Sequence, residues 1–78
     1  PETELTFRLT QSGRVREQIF DLAGRLVKTL LDEERGAGYQ SVRWNGINAQ
    51  GGRVATGVYY FRVQAPEGQA VHRVTVLK

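Results

Sequence analysis

Apolar and polar residues alternate along most of the chain. From Glu4 to Thr10 the order Glu-Leu-Thr-Phe-Arg-Leu-Thr places Leu5, Phe7 and Leu9 on one face of a strand and polar side chains on the other. Arg14 to Asp21 alternates again, with Val15, Glu17 and Ile19 on one side and Arg16, Gln18 and Phe20 on the other. Asp21-Leu22-Ala23-Gly24 joins an Asx-type turn former to a glycine free to take positive φ, which predicts a reversal and a short returning strand, Leu26 to Leu31. Residues 32–38, charged and glycine-rich, read as a loop before the next alternation, Tyr39 to Trp44. Asn45-Gly46, Asn48, Gly51 and Gly52 mark an irregular loop of turn formers. Gly57 to Ala65 is the strongest strand signal, Pro66-Glu67-Gly68 forms the last turn, and Gln69 to Leu77 alternates to the end.

One segment supports a second reading. Leu22, Leu26 and Leu30 have helical spacing among good helix formers, so a helix over 22 to 35 competes with the turn and strand, weakened by Gly24 and by the β-branched Val27 and Thr29. With the strand reading the chain is all-β, an Ig-like antiparallel sandwich of about seven short strands. Its expected core is Leu5, Phe7, Leu9, Val15, Ile19, Val42, Trp44, Tyr59, Phe61, Val63, Val74 and Val76. Glu17 interrupts that apolar set. A buried unpaired carboxylate is costly, so Glu17 calls for an arginine partner, Arg73 or Arg62, or else an edge position or a contact with another protein.

Length and composition narrow the function. Seventy-eight residues make one domain, 1–78, and 40% hydrophobic with 24% charged residues is ordinary globular composition. No apolar run approaches the roughly 20 residues that span a bilayer, and the first ten residues lack the layout of a signal peptide. There are no cysteines, one histidine (His72), and one acidic cluster, Asp32-Glu33-Glu34, whose consecutive side chains diverge, so no metal or cofactor is expected. A core this small supplies only about 3–5 kcal/mol of net stability, little to hold a strained active site, and no enzyme is expected. The net charge is +3, but the nine arginines are spread along the chain among acids, unlike a nucleic-acid footprint.

The residues that invite chemistry have plainer readings. Trp44 serves as the main plug of a small core more readily than as a sugar platform. Asn45 and Asn48 cap turns, and as neutral amides they suit a calcium loop poorly. Tyr60 falls on the outer face of its strand with Phe20 near it, either a docking patch or strand-forming filler. His72 reads as a surface residue.

Five motifs in order carry a resemblance: Ile19 to Val27, Ala37-Gly38, Val42-Arg43-Trp44-Asn45-Gly46, Gly51 with Val54 to Tyr60, and Val74 to Lys78. Together they resemble the immunoglobulin-like C-terminal sorting domain of the bacterial type IX secretion system, and the same pattern is similar to the Ig-like domain of the flagellar hook-capping scaffold protein. Pro1-Glu2-Thr3 is similar to the end of the linker that enters the family's first strand, whereas Glu17 stands where the family has an apolar residue.

The sorting resemblance implies a C-terminal tag on an exported cargo domain of the same chain. The tag would be handled by outer-membrane secretion machinery and a sortase-like surface enzyme, and would reach the cell surface of a Gram-negative bacterium through the periplasm. Recognition would fall on Gly24, Arg25, Gly57, Tyr60, Arg73, Leu77 and Lys78, with the terminal strand read by β-augmentation; a stop just after Val-Leu-Lys favours this reading. The alternative is a structural β-sandwich, a hook-capping scaffold domain or a carbohydrate-binding appendage using Tyr39, Trp44 or Tyr60.

Overall fold

A computed structural model of the chain describes residues 2–77. Six strands follow one another: β1 (Thr3–Leu9), β2 (Gly13–Asp21), β3 (Leu26–Arg35), β4 (Gly38–Trp44), β5 (Gly57–Ala65) and β6 (Gly68–Val76). They form two antiparallel sheets, one of two strands in the order β1-β4 and one of four in the order β3-β2-β5-β6. Side chains alternate across each pleat, so the two inner faces bury one shared core. The architecture is the expected all-β sandwich, with six strands where about seven were expected.

The core matches the alternation closely. Leu9, Val15, Ile19, Trp44, Tyr59, Phe61, Val63, Val74 and Val76 are buried, and Leu5, Phe7 and Val42 pack against them half-buried. Val54 is the addition. It comes from the long loop between β4 and β5 and shows no strand periodicity, but its N–H donates to Gly46 O at 2.9 Å, which folds the loop back over the core. Trp44 is 2% exposed and meets Tyr59 edge to face, with ring centroids 5.4 Å apart. The polar tips of both rings fasten the same loop: Trp44 Nε1–H donates to Ile47 O at 3.0 Å and the Tyr59 hydroxyl to Ala55 O at 2.7 Å.

Segment 32–35 departs from the expected loop. β3 runs on to Arg35 and pairs with β2 through Arg14↔Glu34, Val15↔Glu33 and Arg16↔Asp32. Opposite charges across the pair make these residues a strand: Arg14 Nε lies 2.9 Å and Arg16 Nε 3.5 Å from the Asp32 carboxylate. Only residues 36 and 37 remain between β3 and β4. The helix alternative for 22–35 fails for the same reason. Asp21 O accepts from Gly24 N–H at 3.0 Å, Asp21 N–H donates to Arg25 O at 2.9 Å, and Gly24 takes φ 86°, which closes a tight turn that starts β3.

Glu17 is buried, 1% exposed, on the inner face between Leu31 and Val63. The partners expected from the sequence, Arg62 and Arg73, lie on the opposite, outer face, paired across the sheet with Gln18 and Tyr60. The nearest charge is instead Arg35 at the end of β3, in register with Gly13 and therefore on the inner face. Arg35 faces other groups as well: Nε lies 3.0 Å from Glu33 Oε2 without making a hydrogen bond, and Nη1 donates to Gln40 Oε1 at 3.5 Å. Glu17 Oε1 has no hydrogen-bond partner. Burial pushes its carboxyl up from the ordinary 4.5 to about 7, and the Arg35 guanidinium opposes this only in part.

Trp44→Ala removes the ring that joins the sheets and anchors the loop; a loss of about 3–5 kcal/mol, near the whole stability of a domain this size, is expected to abolish cooperative thermal unfolding seen by circular dichroism. Glu17 ionises in the unfolded chain from about 4.5 but in the folded chain only near 7, so its contribution is intact below 4.5, falls away between the two values and is fully lost above 7. That loss is at most about 3 kcal/mol. Urea unfolding from pH 4 to 8 should show it in the native sequence and a flatter profile for Glu17→Gln.

Candidate functional site

The residues singled out from the sequence gather at one end of the four-stranded sheet. Gly24 and Arg25 form the β2–β3 turn there, Gly57 opens β5 opposite Val76, and Leu77, 69% exposed, follows the end of β6. Tyr60 and Arg73 are direct cross-strand partners on the outer face. Lys78 lies outside the described residues. Gly24 and Tyr60 line one shallow groove of 370 Å³ together with Phe20, Leu22, Arg62 and Val71. Arg25 points elsewhere: its N–H donates to Asp21 Oδ1 at 2.9 Å and its Nε lies 3.1 Å from Oδ2, so it closes the turn. The Arg25 backbone N–H is also the main reason the Asp21 carboxyl is held below its ordinary range.

Three members of this surface escape sequence reasoning. The Arg62 guanidinium stacks on Phe20, its carbon 4.6 Å from the ring centroid, while Nη2 donates to Gln18 Oε1 at 2.8 Å. Leu22, 71% exposed, and Val71, 54% exposed, supply apolar area beside it. Parity within each strand puts Phe20, Tyr60, Arg62 and Val71 on outer faces. Their meeting depends on β2, β5 and β6 being neighbours in register, through Phe20↔Tyr60 and Arg62↔Val71.

Arg14 and Arg16 on this face stand opposite Glu34 and Asp32, whereas Arg62 and Arg73 pair across the sheet with the uncharged Gln18 and Tyr60 and give their part of it positive charge. Asp32 answers both Arg14 and Arg16, and the hydrogen bond from Arg14 holds its carboxyl below the ordinary range. Stacked cation, aromatic rings and exposed aliphatic side chains form a contact surface of the kind protein partners use.

Other candidate chemistry resolves into structure. Asn48 Oδ1 accepts from the N–H groups of Gln50 and Gly52 at 3.0 and 2.9 Å, and Asn45 Oδ1 from Ile47 at 3.2 Å, so both amides cap turns. Trp44 is buried, Tyr39 lies on the outer face of the small sheet beside Arg8, and Tyr60 lies on the outer face of the large one. These rings share no platform on which a sugar could stack. Among the described residues no group of three or more His, Cys, Asp or Glu side chains is placed to hold a metal ion.

The fold recurs in solved structures of known proteins. A crystal structure of FlgD from P. aeruginosa superimposes with a TM-score of 0.74 at 22% identity, over 96% of this chain and 59% of that one. FlgD from Xanthomonas campestris, in a structure described as giving insights into the hook capping essential for flagellar assembly, superimposes with a TM-score of 0.71 at 29% identity, over 95% of this chain and 54% of that one. The chain thus spans a little over half the length of these solved relatives. No curated protein sequence matches it. The type IX sorting reading finds no support in these comparisons. A family profile described as the FlgD Ig-like domain matches residues 1–69. By that match this chain belongs to the family of FlgD Ig-like domains.

Proposed function

We propose that this chain is the Ig-like structural module of a hook-capping protein and acts through protein–protein contact, without catalysis. The family match over residues 1–69 carries the reading. The outer face of the four-stranded sheet supports it as well, because Phe20, Leu22, Tyr60, Arg62 and Val71 offer contact area and no reacting group. The partners in this reading are other protein subunits of a flagellar assembly, which requires export to the cell exterior. The sorting-tag reading, with its secretion machinery and sortase-like enzyme, rests on sequence resemblance alone.

The test is genetic. Deleting the gene in the source bacterium is expected to give cells without hooks by electron microscopy, and the native gene to restore them. A Leu22→Asp/Tyr60→Ser variant, changed only at outward-facing positions, is expected to accumulate as folded protein and yet fail to restore hooks. Normal hooks in the deletion strain together with loss of a surface protein would overturn the proposal in favour of sorting. Full restoration by the double variant would remove the outer face from it.

A further inference from the structure

β6 is covered unevenly. Val74 and Val76 are buried against the small sheet, whereas Gly68 to Arg73 are exposed on both faces. Ala70 and His72 share the inner face with Val74 and Val76, yet both are exposed. β1 has a single neighbour, β4, and its other edge runs beside this bare strip. Between them lies a groove of 260 Å³, walled by Leu5, Phe7 and Leu9 and floored by Val63, Ala70 and His72.

The groove has the dimensions and hydrogen-bonding edge of one missing strand. Its wall spans five residues of β1, about 17 Å of extended chain. Its volume falls below the roughly 300–1,000 Å³ of small-molecule sites, and the small Ala70 leaves space for entering side chains. At one end Thr10 N–H donates to Glu67 Oε2 at 3.0 Å and the Thr10 hydroxyl to the same oxygen at 2.7 Å. A carboxylate from the β5–β6 turn thus stands where a neighbouring strand's carbonyl would. Because the pleat repeats every two residues, the N–H and C=O groups of Arg8, Thr6 and Glu4 face the same edge.

Charge specifies the occupant further. Glu2 and Glu4 share one cation, Arg43, at 3.6 and 3.7 Å, which leaves that end of β1 acidic. At the other end Arg8 rests on the Tyr39 ring at 5.5 Å and meets no carboxylate among the described residues. We propose that the groove docks one extended segment of another polypeptide, which pairs antiparallel with β1 as the third strand of the small sheet. Its sequence runs acidic, apolar, polar, apolar, basic. The acid faces Arg8, the base faces Glu4, and the two apolar side chains point inward over Ala70 and His72.

β1 itself reads Glu4-Leu5-Thr6-Phe7-Arg8 and matches that pattern, but a whole second copy does not fit. β5 and β6 extend beneath the free edge of β1, so a two-fold axis through that edge would drive two four-stranded sheets into the same space. The inference does not depend on the hook-capping reading.

The test is a nuclear magnetic resonance titration of the 78-residue chain with the peptide Ser-Glu-Val-Thr-Val-Lys-Ser. Saturable shifts are expected at residues 4–9 and 68–72, with slowed amide exchange at Thr6 and Arg8. Ala70→Arg, at an exposed position and therefore without effect on melting, is expected to weaken binding by at least about tenfold, as is exchanging the Glu and Lys of the peptide. Absence of saturable binding overturns the proposal, and so does undiminished affinity of the Ala70→Arg variant or of the charge-exchanged peptide. Protection of the same amides by concentration-dependent dimerisation, without peptide, would make a second copy the occupant and overturn it as well.

Discussion

Two strands packed on four cannot cover them, and the position of the shortfall governs much of this molecule. The small sheet is joined to the large one where Trp44 meets Tyr59, and there burial is complete on both sides. Away from that contact cover thins in both directions across the large sheet. On β6 it reaches Val74 and Val76 but leaves Ala70 and His72 bare. On the edge strand β3 the inner positions are Leu31, Glu33 and Arg35, a row that turns from apolar to charged toward the end of the strand.

Glu17 sits between these extremes, one strand in from the charged edge and beside the most deeply buried aliphatic residues. Its carboxyl is too far inside to be hydrated, and the Arg35 guanidinium, which also faces Glu33, offsets the burial only in part. The raised pKa is the direct consequence, because the neutral form is the cheaper one to keep in a dry core. A leucine of similar volume would remove that penalty. The sheet instead carries a position at which ionisation and packing oppose each other near neutral pH.

Much of this was legible in the alternation and the rest was hidden for definite reasons. Period-two patterns assigned the inner and outer faces of β1, β2, β4, β5 and the end of β6, because every strand there has one buried face. The pattern fails at 32–35, where an edge strand bears charge on both faces and resembles a loop; only the facing arginines of β2 identify it. The partner of Glu17 was misassigned although parity held the answer, since Arg62 alternates with the buried Phe61 and Val63 and so faces outward. Val54 carried no signal, being placed by a loop hydrogen bond. At the candidate surface, the adjacency of Tyr60 and Arg73 and the stacking of Arg62 on Phe20 follow from strand order and register, which no local window contains.

The free strand edges show how the fold separates stability from recognition. β3 is guarded by Asp32, Glu33, Glu34 and Arg35 and is irregular, with register shifts against β2 at Glu17/Gln18 and Ile19/Phe20, so another strand finds neither a flat edge nor an apolar row to pair with. β1 has charge only on its outer face, at Glu4 and Arg8, and no register shift. It pairs in unbroken register with β4 from Thr3 to Leu9, which keeps its opposite, free edge straight, and its inner row is Leu5, Phe7 and Leu9. A protein that guards β3 with charge and distortion and leaves β1 straight, with an apolar inner row beside an uncovered strip, has not merely failed to bury surface. The same shortfall that weakens the core also leaves a backbone edge and an apolar floor facing each other, and recognition by strand addition needs both.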